Sequence, residues 1–94
     1  MYTQAVGING SHAEGYGASP YNRITASGSG SHAEGRLSTA SGEGSHAEGG
    51  GCLTGPFLGT VASGNFSHAE GYYTIASGEG AHSEGHGINA GPDW

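Results

Sequence analysis

A five-residue phrase, Ser-His-Ala-Glu-Gly, recurs along this chain, and its spacing limits what the chain can become. It occupies residues 11–15, 31–35, 45–49 and 67–71, and a fifth copy at 81–85 reads Ala-His-Ser-Glu-Gly. The histidines fall at positions 12, 32, 46, 68 and 82, at intervals of 20, 14, 22 and 14 residues. The unit is therefore 14 residues, with 6 extra in one gap and 8 in another. A second phrase, Thr/Val/Ile-Ala-Ser-Gly, stands between copies at 25–28, 39–42, 61–64 and 75–78. A short phrase at a near-fixed period marks a stacked-repeat architecture.

Within the unit lies a seven-residue scheme, small-x-small-x-Gly-x-x, unbroken from Ser31 through Ala33, Gly35, Ser38, Ala40, Gly42, Ser45 and Ala47 to Gly49. Alternation over five residues is strand periodicity, and the i, i+3, i+4 spacing of a helix is missing. The remaining two positions are turns, where Gly supports positive φ. Each unit thus predicts two short strands and two tight turns, one coil of a parallel β-solenoid. Coils would stack about 4.8 Å apart, and five of them would stand roughly 25 Å tall. Ser, Ala, Gly and Thr face inward, so the facing sheets should lie closer than the usual ~10 Å. His and Glu face outward on one strand, and Ser with a variable residue on the other.

Taken in order, residues 1–10 predict a lead-in strand and turn, with Gln4, Val6 and Ile8 alternating before Asn9-Gly10. Coils run over 11–90, interrupted by loop insertions at 16–23 and 50–59, each containing a Pro, and 91–94 form a tail. Both insertions are placed at the same turn, just after Glu-Gly. The other parse, in which each excess is an extra half coil, would move later His strands to the opposite sheet and break the columns of identical residues.

Composition removes several function classes. With 94 residues the chain makes one domain at most, and with 21 Gly and few large aliphatics it has little to bury. Gly this frequent would suggest disorder without the repeat, and it lacks the three-residue period of collagen. One Cys gives no intrachain disulfide, and no Cys/His spacing fits structural zinc. Oligomerisation is left as the source of stability. The formal charge is −6, with Arg23 and Arg36 the only Lys or Arg residues, which excludes a phosphate-neutralising nucleic-acid surface and disfavours an anionic membrane. No stretch approaches the roughly 20 apolar residues of a membrane span, so no membrane insertion is expected. The start, Met1-Tyr2-Thr3-Gln4-Ala5, is not a secretory signal; either the protein is not exported by that route or the chain is an excised fragment.

In this register His12, His32, His46, His68 and His82 form one column, with Glu14, Glu34, Glu48, Glu70 and Glu84 beside it on the same face. Carboxylates about 4.8 Å apart repel one another, so something must neutralise or separate them. The simplest arrangement interleaves imidazoles and carboxylates as donor–acceptor pairs, within a chain or across subunits; simple solvation is a second. Metal binding is a third, since a His-x-Glu pair offers imidazole and carboxylate, but a column supplies ligands in a line rather than a closed set. Cofactors are not expected, and no metal is assigned.

Catalysis is not expected. Ser and His are sequence neighbours on opposite faces of a strand, and the Glu residues share near-identical environments, unlike a glycosidase pair. Cys52 has no basic neighbour in sequence, and Gly42-Glu43-Gly44 precedes no helix. The turn after Glu-Gly collects large side chains: Tyr16 and Tyr21; Arg36 and Leu37; Cys52, Leu53, Phe57 and Leu58; Tyr72 and Tyr73. All are read as one edge of the stack, either an interchain packing seam or a binding edge for a receptor, glycan or partner subunit.

The chain resembles the head repeats of trimeric autotransporter adhesins, which share the 14-residue unit and the small-x-Ala-x-Gly phrase over about residues 11–90. The Ser-His-Ala-Glu-Gly form resembles repeats of phage tail and appendage proteins and of some bacterial surface proteins. The resemblance implies a left-handed parallel β-roll of which three copies pack side by side. The Val-Ala-Ile-Gly strand of adhesin heads is replaced here by Ala-Ser-Gly and His-Ala-Glu-Gly.

The expectation is therefore an all-β chain, a left-handed parallel β-roll (β-solenoid) of about five 14-residue coils, assembled as a homotrimer. Its expected role is non-enzymatic: a rigid segment of a phage tail fibre or appendage, located on a virion or cell surface, with a host-surface receptor or glycan as the partner beyond its own copies. The alternatives are the head fragment of a bacterial surface adhesin and the subunit of a self-assembling extracellular filament. An ice-binding solenoid would need a flat Thr array, and Thr25, Thr39, Thr60 and Thr74 are read as one column only.

Overall fold

The alternation of small and variable residues sends the chain back and forth between two parallel sheets. The structure, a computed structural model, describes residues 3–7, 9–16, 24–51, 59–87 and 89–90. Odd-numbered strands build one sheet: β1 (Thr3–Ala5), β3 (Ile24–Ala26), β5 (Thr39–Ala40), β7 (Val61–Ala62), β9 (Ile75–Ala76) and β11 (Asn89–Ala90), hydrogen-bonded in that order. Even-numbered strands build the other: β2 (His12–Tyr16), β4 (His32–Arg36), β6 (His46–Gly50), β8 (His68–Tyr72) and β10 (His82–His86). Every pairing is parallel, and no helix occurs among the described residues. This is the solenoid-like, all-β arrangement the repeat predicts.

Register follows the repeat residue by residue. His12 pairs with His32, His32 with His46, His46 with His68 and His68 with His82, and the glutamates two positions on do the same. Strand pairing keeps every Ser-His-Ala-Glu-Gly copy in one sheet, as insertions at a single turn require and extra half coils would not allow.

The interior is built from small side chains. Ala26, Ala33, Ala40, Ala47, Ala62, Ala69 and Ala76 are fully buried, and Ser31, Ser38, Ser45, Ser67, Thr60, Thr74 and Ser83 are buried beside them. Each Ala methyl removes little surface from water, about 0.8 kcal/mol per buried carbon. Several hydroxyls there are satisfied by backbone carbonyls: Ser45 Oγ donates to Gly42 O and Ser67 Oγ to Gly64 O at 2.7 Å, and Ser38 Oγ donates to Glu34 O at 2.8 Å, whereas Ser31 Oγ is buried without a partner. Ile24 is the exception in size, fully buried at the position that Ser38, Thr60 and Thr74 fill in other coils.

The threonines do not form one column. Thr25 and Thr39 pair with each other on the outer face, in line with Val61 and Ile75, whereas Thr60 and Thr74 are buried in the interior. Positions 25 and 60 have opposite parity in the strand, and strand faces alternate with period 2, so the two pairs of threonines fall on opposite faces.

Close stacking depends on Gly at two recurrent places: a Cβ on Gly28, Gly42 or Gly64 would meet the carbonyl oxygen of the equivalent glycine in the next coil, and the same holds one strand away. Gly49 has φ 127°, and a Cβ there would collide with the carbonyl oxygen of Gly71 in the next coil. Tight turns of the type Gly-x-x-Ser close the coils on the other side, with Ser45 N donating to Gly42 O and Ser67 N to Gly64 O.

Candidate functional site: a His–Glu ladder

The outer face of the five-stranded sheet carries the histidine and glutamate columns together. Because the strands are parallel and in register, equivalent rings lie one above another. Adjacent imidazoles from His12 to His68 have centroids 4.7 Å apart, and His68 and His82 are 5.0 Å apart, with planes within 10° of parallel throughout. The ring spacing is the strand spacing itself.

Each imidazole meets the carboxylate two residues along its own strand. His12 Nε2 lies 2.9 Å from Glu14, His32 3.4 Å from Glu34, and His46, His68 and His82 each 3.1 Å from Glu48, Glu70 and Glu84. The carboxylates also reach the following coil: Glu34 to His46 at 3.9 Å, Glu48 to His68 at 3.7 Å and Glu70 to His82 at 3.8 Å. An inner glutamate therefore sits between two imidazoles. Among the described residues, the ion pairs along this column are all His–Glu contacts.

The three inner imidazoles combine proximity with poor alignment. The Nε2 atoms of His32, His46 and His68 are closed off from solvent, yet no hydrogen bond of acceptable geometry reaches them. Their own carboxylates stand 3.1–3.4 Å from Nε2 without meeting hydrogen-bond geometry. The side chains as a whole remain about one-third exposed, at 34–36%. Sets of three ligand atoms, such as those of His32, Glu34 and His46, lie within 4.8 Å of one another.

Ser–His adjacency in sequence does not become adjacency in space. Ser67 Oγ is buried and donates to Gly64 O, while His68 projects to the opposite face of the strand.

The turn after Glu-Gly brings Tyr16, Arg36, Gly50, Tyr72 and His86 into one register column. Tyr16 and Tyr72 are exposed there. Leu37 is buried, at 5% exposure. Leu37 and Tyr73 both have left-handed backbones, φ 59° and 51°, which turns their side chains out of the strand alternation. Tyr21, Leu53, Phe57, Leu58 and Cys52 lie outside the described residues, as do most of the insertions at 16–23 and 50–59 and the tail at 91–94.

Two residues escaped the sequence reading. His86 stacks on Tyr72 at 4.7 Å with planes 8° apart. Its place directly after the fifth Glu-Gly, where Tyr16, Arg36 and Tyr72 stand in other copies, was the available signal. Phe66 is 61% exposed and belongs to the opposite set of turns, so large apolar groups do not all share one edge. Its signal was the replacement of Gly in Gly-x-Gly-Ser by Phe in Gly-Asn-Phe-Ser.

No family model matches the chain, and no curated protein and no solved structure matches it. Among the described residues no helix is long and apolar enough to cross a membrane.

Proposed function

We propose that this chain is a non-enzymatic structural module that acts as a homotrimer of left-handed β-rolls, a rigid segment of a phage tail fibre or similar surface appendage. The carrying observation is the interior. Among the described residues, its fully buried side chains are Ala, Ser and Thr, with Ile24 the largest. A core of this kind supplies little hydrophobic stabilisation, and small domains are marginal even with ordinary cores. Packing against sister chains supplies what the interior lacks, and the exposed Val6, Tyr16, Phe66 and Tyr72 are apolar groups available for contact. Continuous parallel sheets resist bending, which suits a spacer that presents a receptor- or glycan-binding element at a virion or cell surface.

The test is mass in solution. Light scattering on the purified chain should return about three times the 9.3 kDa chain mass, with a strand-rich circular dichroism spectrum. A stably folded monomer at micromolar concentration overturns the proposal.

A filament subunit is a second reading, favoured by one observation. The sheets terminate in β1 and β2 at one end and in β10 and β11 at the other, so the terminal strands have neighbours on one side only among the described residues. Such edges template further strands. Fibres in electron micrographs, lengthening with concentration, would select this reading over a closed trimer.

A further inference from the structure

We propose that the His–Glu ladder is a linear binding site for divalent transition-metal ions, of which Zn²⁺ is the representative. Three observations carry this. The first is donor chemistry: each rung presents one imidazole nitrogen and one carboxylate oxygen, the ligand pair that zinc and its neighbours prefer over the all-oxygen sets of Mg²⁺ and Ca²⁺. The second is spacing. His46 Nε2 and Glu48 Oε1 are 3.1 Å apart, as are the corresponding atoms of His68 and Glu70. Two ligands so separated, each bonded at ~2.1 Å, subtend about 95° at the ion, within reach of tetrahedral or octahedral coordination. The imidazole of the adjoining coil completes a set of three ligand atoms within 4.8 Å of one another, and two nitrogens bonded at ~2.1 Å to one ion must draw to within about 4.2 Å.

The third observation is the unmet polar demand of the inner rungs. Nε2 of His32, His46 and His68 is sealed from water and lacks a hydrogen bond, an unfavourable state for a buried polar atom. An ion bound there uses the Nε2 lone pair of the neutral imidazole, with the ring proton held on Nδ1, and neutralises carboxylates that otherwise repel along the column. The exposed flank of the ladder leaves room for water as a further ligand.

Stoichiometry follows from shared ligands. Neighbouring sets have a histidine in common, so the four sets along the column cannot all fill at once. His12–Glu14–His32 is disjoint from both His46–Glu48–His68 and His68–Glu70–His82, and His32–Glu34–His46 from His68–Glu70–His82, and each of these three choices places two ions on each chain. Every set contains His32 or His68, so replacing those two residues dismantles all four.

The experiment is calorimetric titration of the full chain with ZnCl₂ near pH 7.5, in a Cys52→Ser background so that the thiol takes no part. The expected result is two ions per chain, no comparable heat from MgCl₂, and a melting temperature that rises with zinc concentration. The His32→Gln/His68→Gln variant should bind zinc at least tenfold more weakly, and His86→Gln, off the ladder, should bind as the parent does. In the unsubstituted chain, the ring NMR signals of the ladder histidines should shift on zinc addition while those of His86 stay in place, a readout that does not depend on any variant folding. Fewer than one ion per chain, undiminished affinity in the double variant, or zinc shifts confined to His86 would each overturn the assignment.

Discussion

Phe66 takes the backbone conformation of Gly44 one coil earlier, with φ 61° against 62°, and its ring lies over that glycine. Gly30 and Gly80 hold the same turn position in other coils with φ 69°. The amides continue the equivalence: Gly44 N donates to Ser29 O, Phe66 N to Glu43 O and Gly80 N to Asn65 O. One coil thus accepts a strained, exposed aromatic where its neighbours use the residue that costs least.

Replacing Phe66 should therefore stabilise the fold. The left-handed conformation costs a non-glycine residue about 1–2 kcal/mol, and the added entropy of an unfolded Gly returns about 0.5–1 kcal/mol. Phe66→Gly is expected to raise stability by roughly 0.5 kcal/mol in urea melts, given how little of the ring is buried. A drop of more than about 1 kcal/mol would mean that the ring's packing outweighs the backbone strain.

Glycines at stacking positions and at open turns should respond very differently to a methyl group. Gly49→Ala combines an unfavourable φ with a collision against Gly71 O, and is expected to cost about 3 kcal/mol or more. Gly80→Ala meets nothing within 4 Å and should cost only the left-handed penalty of about 1–2 kcal/mol. Thermal melts of the two variants side by side decide this; equal losses would show that steric contact between coils is not what selects Gly49.

Two interior serines differ in their hydrogen bonding, and the difference is measurable. Ser67 Oγ donates to Gly64 O at 2.7 Å, whereas Ser31 Oγ is buried without a partner. Ser67→Ala should destabilise by about 1 kcal/mol, the usual net worth of such a bond. Ser31→Ala removes an unsatisfied hydroxyl and should be neutral or stabilising by up to about 1 kcal/mol. Denaturant midpoints with unchanged slopes provide the measurement, and a larger loss for Ser31→Ala would refute the contrast.

Period, parity and register were all legible in the amino-acid order. Strand faces alternate every residue, so His46 and Glu48 had to share a face and Ala47 had to oppose them; identical phrases 14 residues apart then stack like on like. Conformations at turns and contacts between coils were decided by the tertiary structure. Leu37 at φ 59° is buried while Phe66 at φ 61° is exposed, and Ile24 is fully buried in line with Ser38, so the surroundings of each turn and coil decide what the local phrase leaves open. That Glu48 reaches His68 as well as His46, and that the inner Nε2 atoms lose both water and aligned acceptors, are consequences of rings held one strand spacing apart. Local alternation fixes direction within a strand, but distance and alignment across strands depend on backbone geometry that no short phrase encodes.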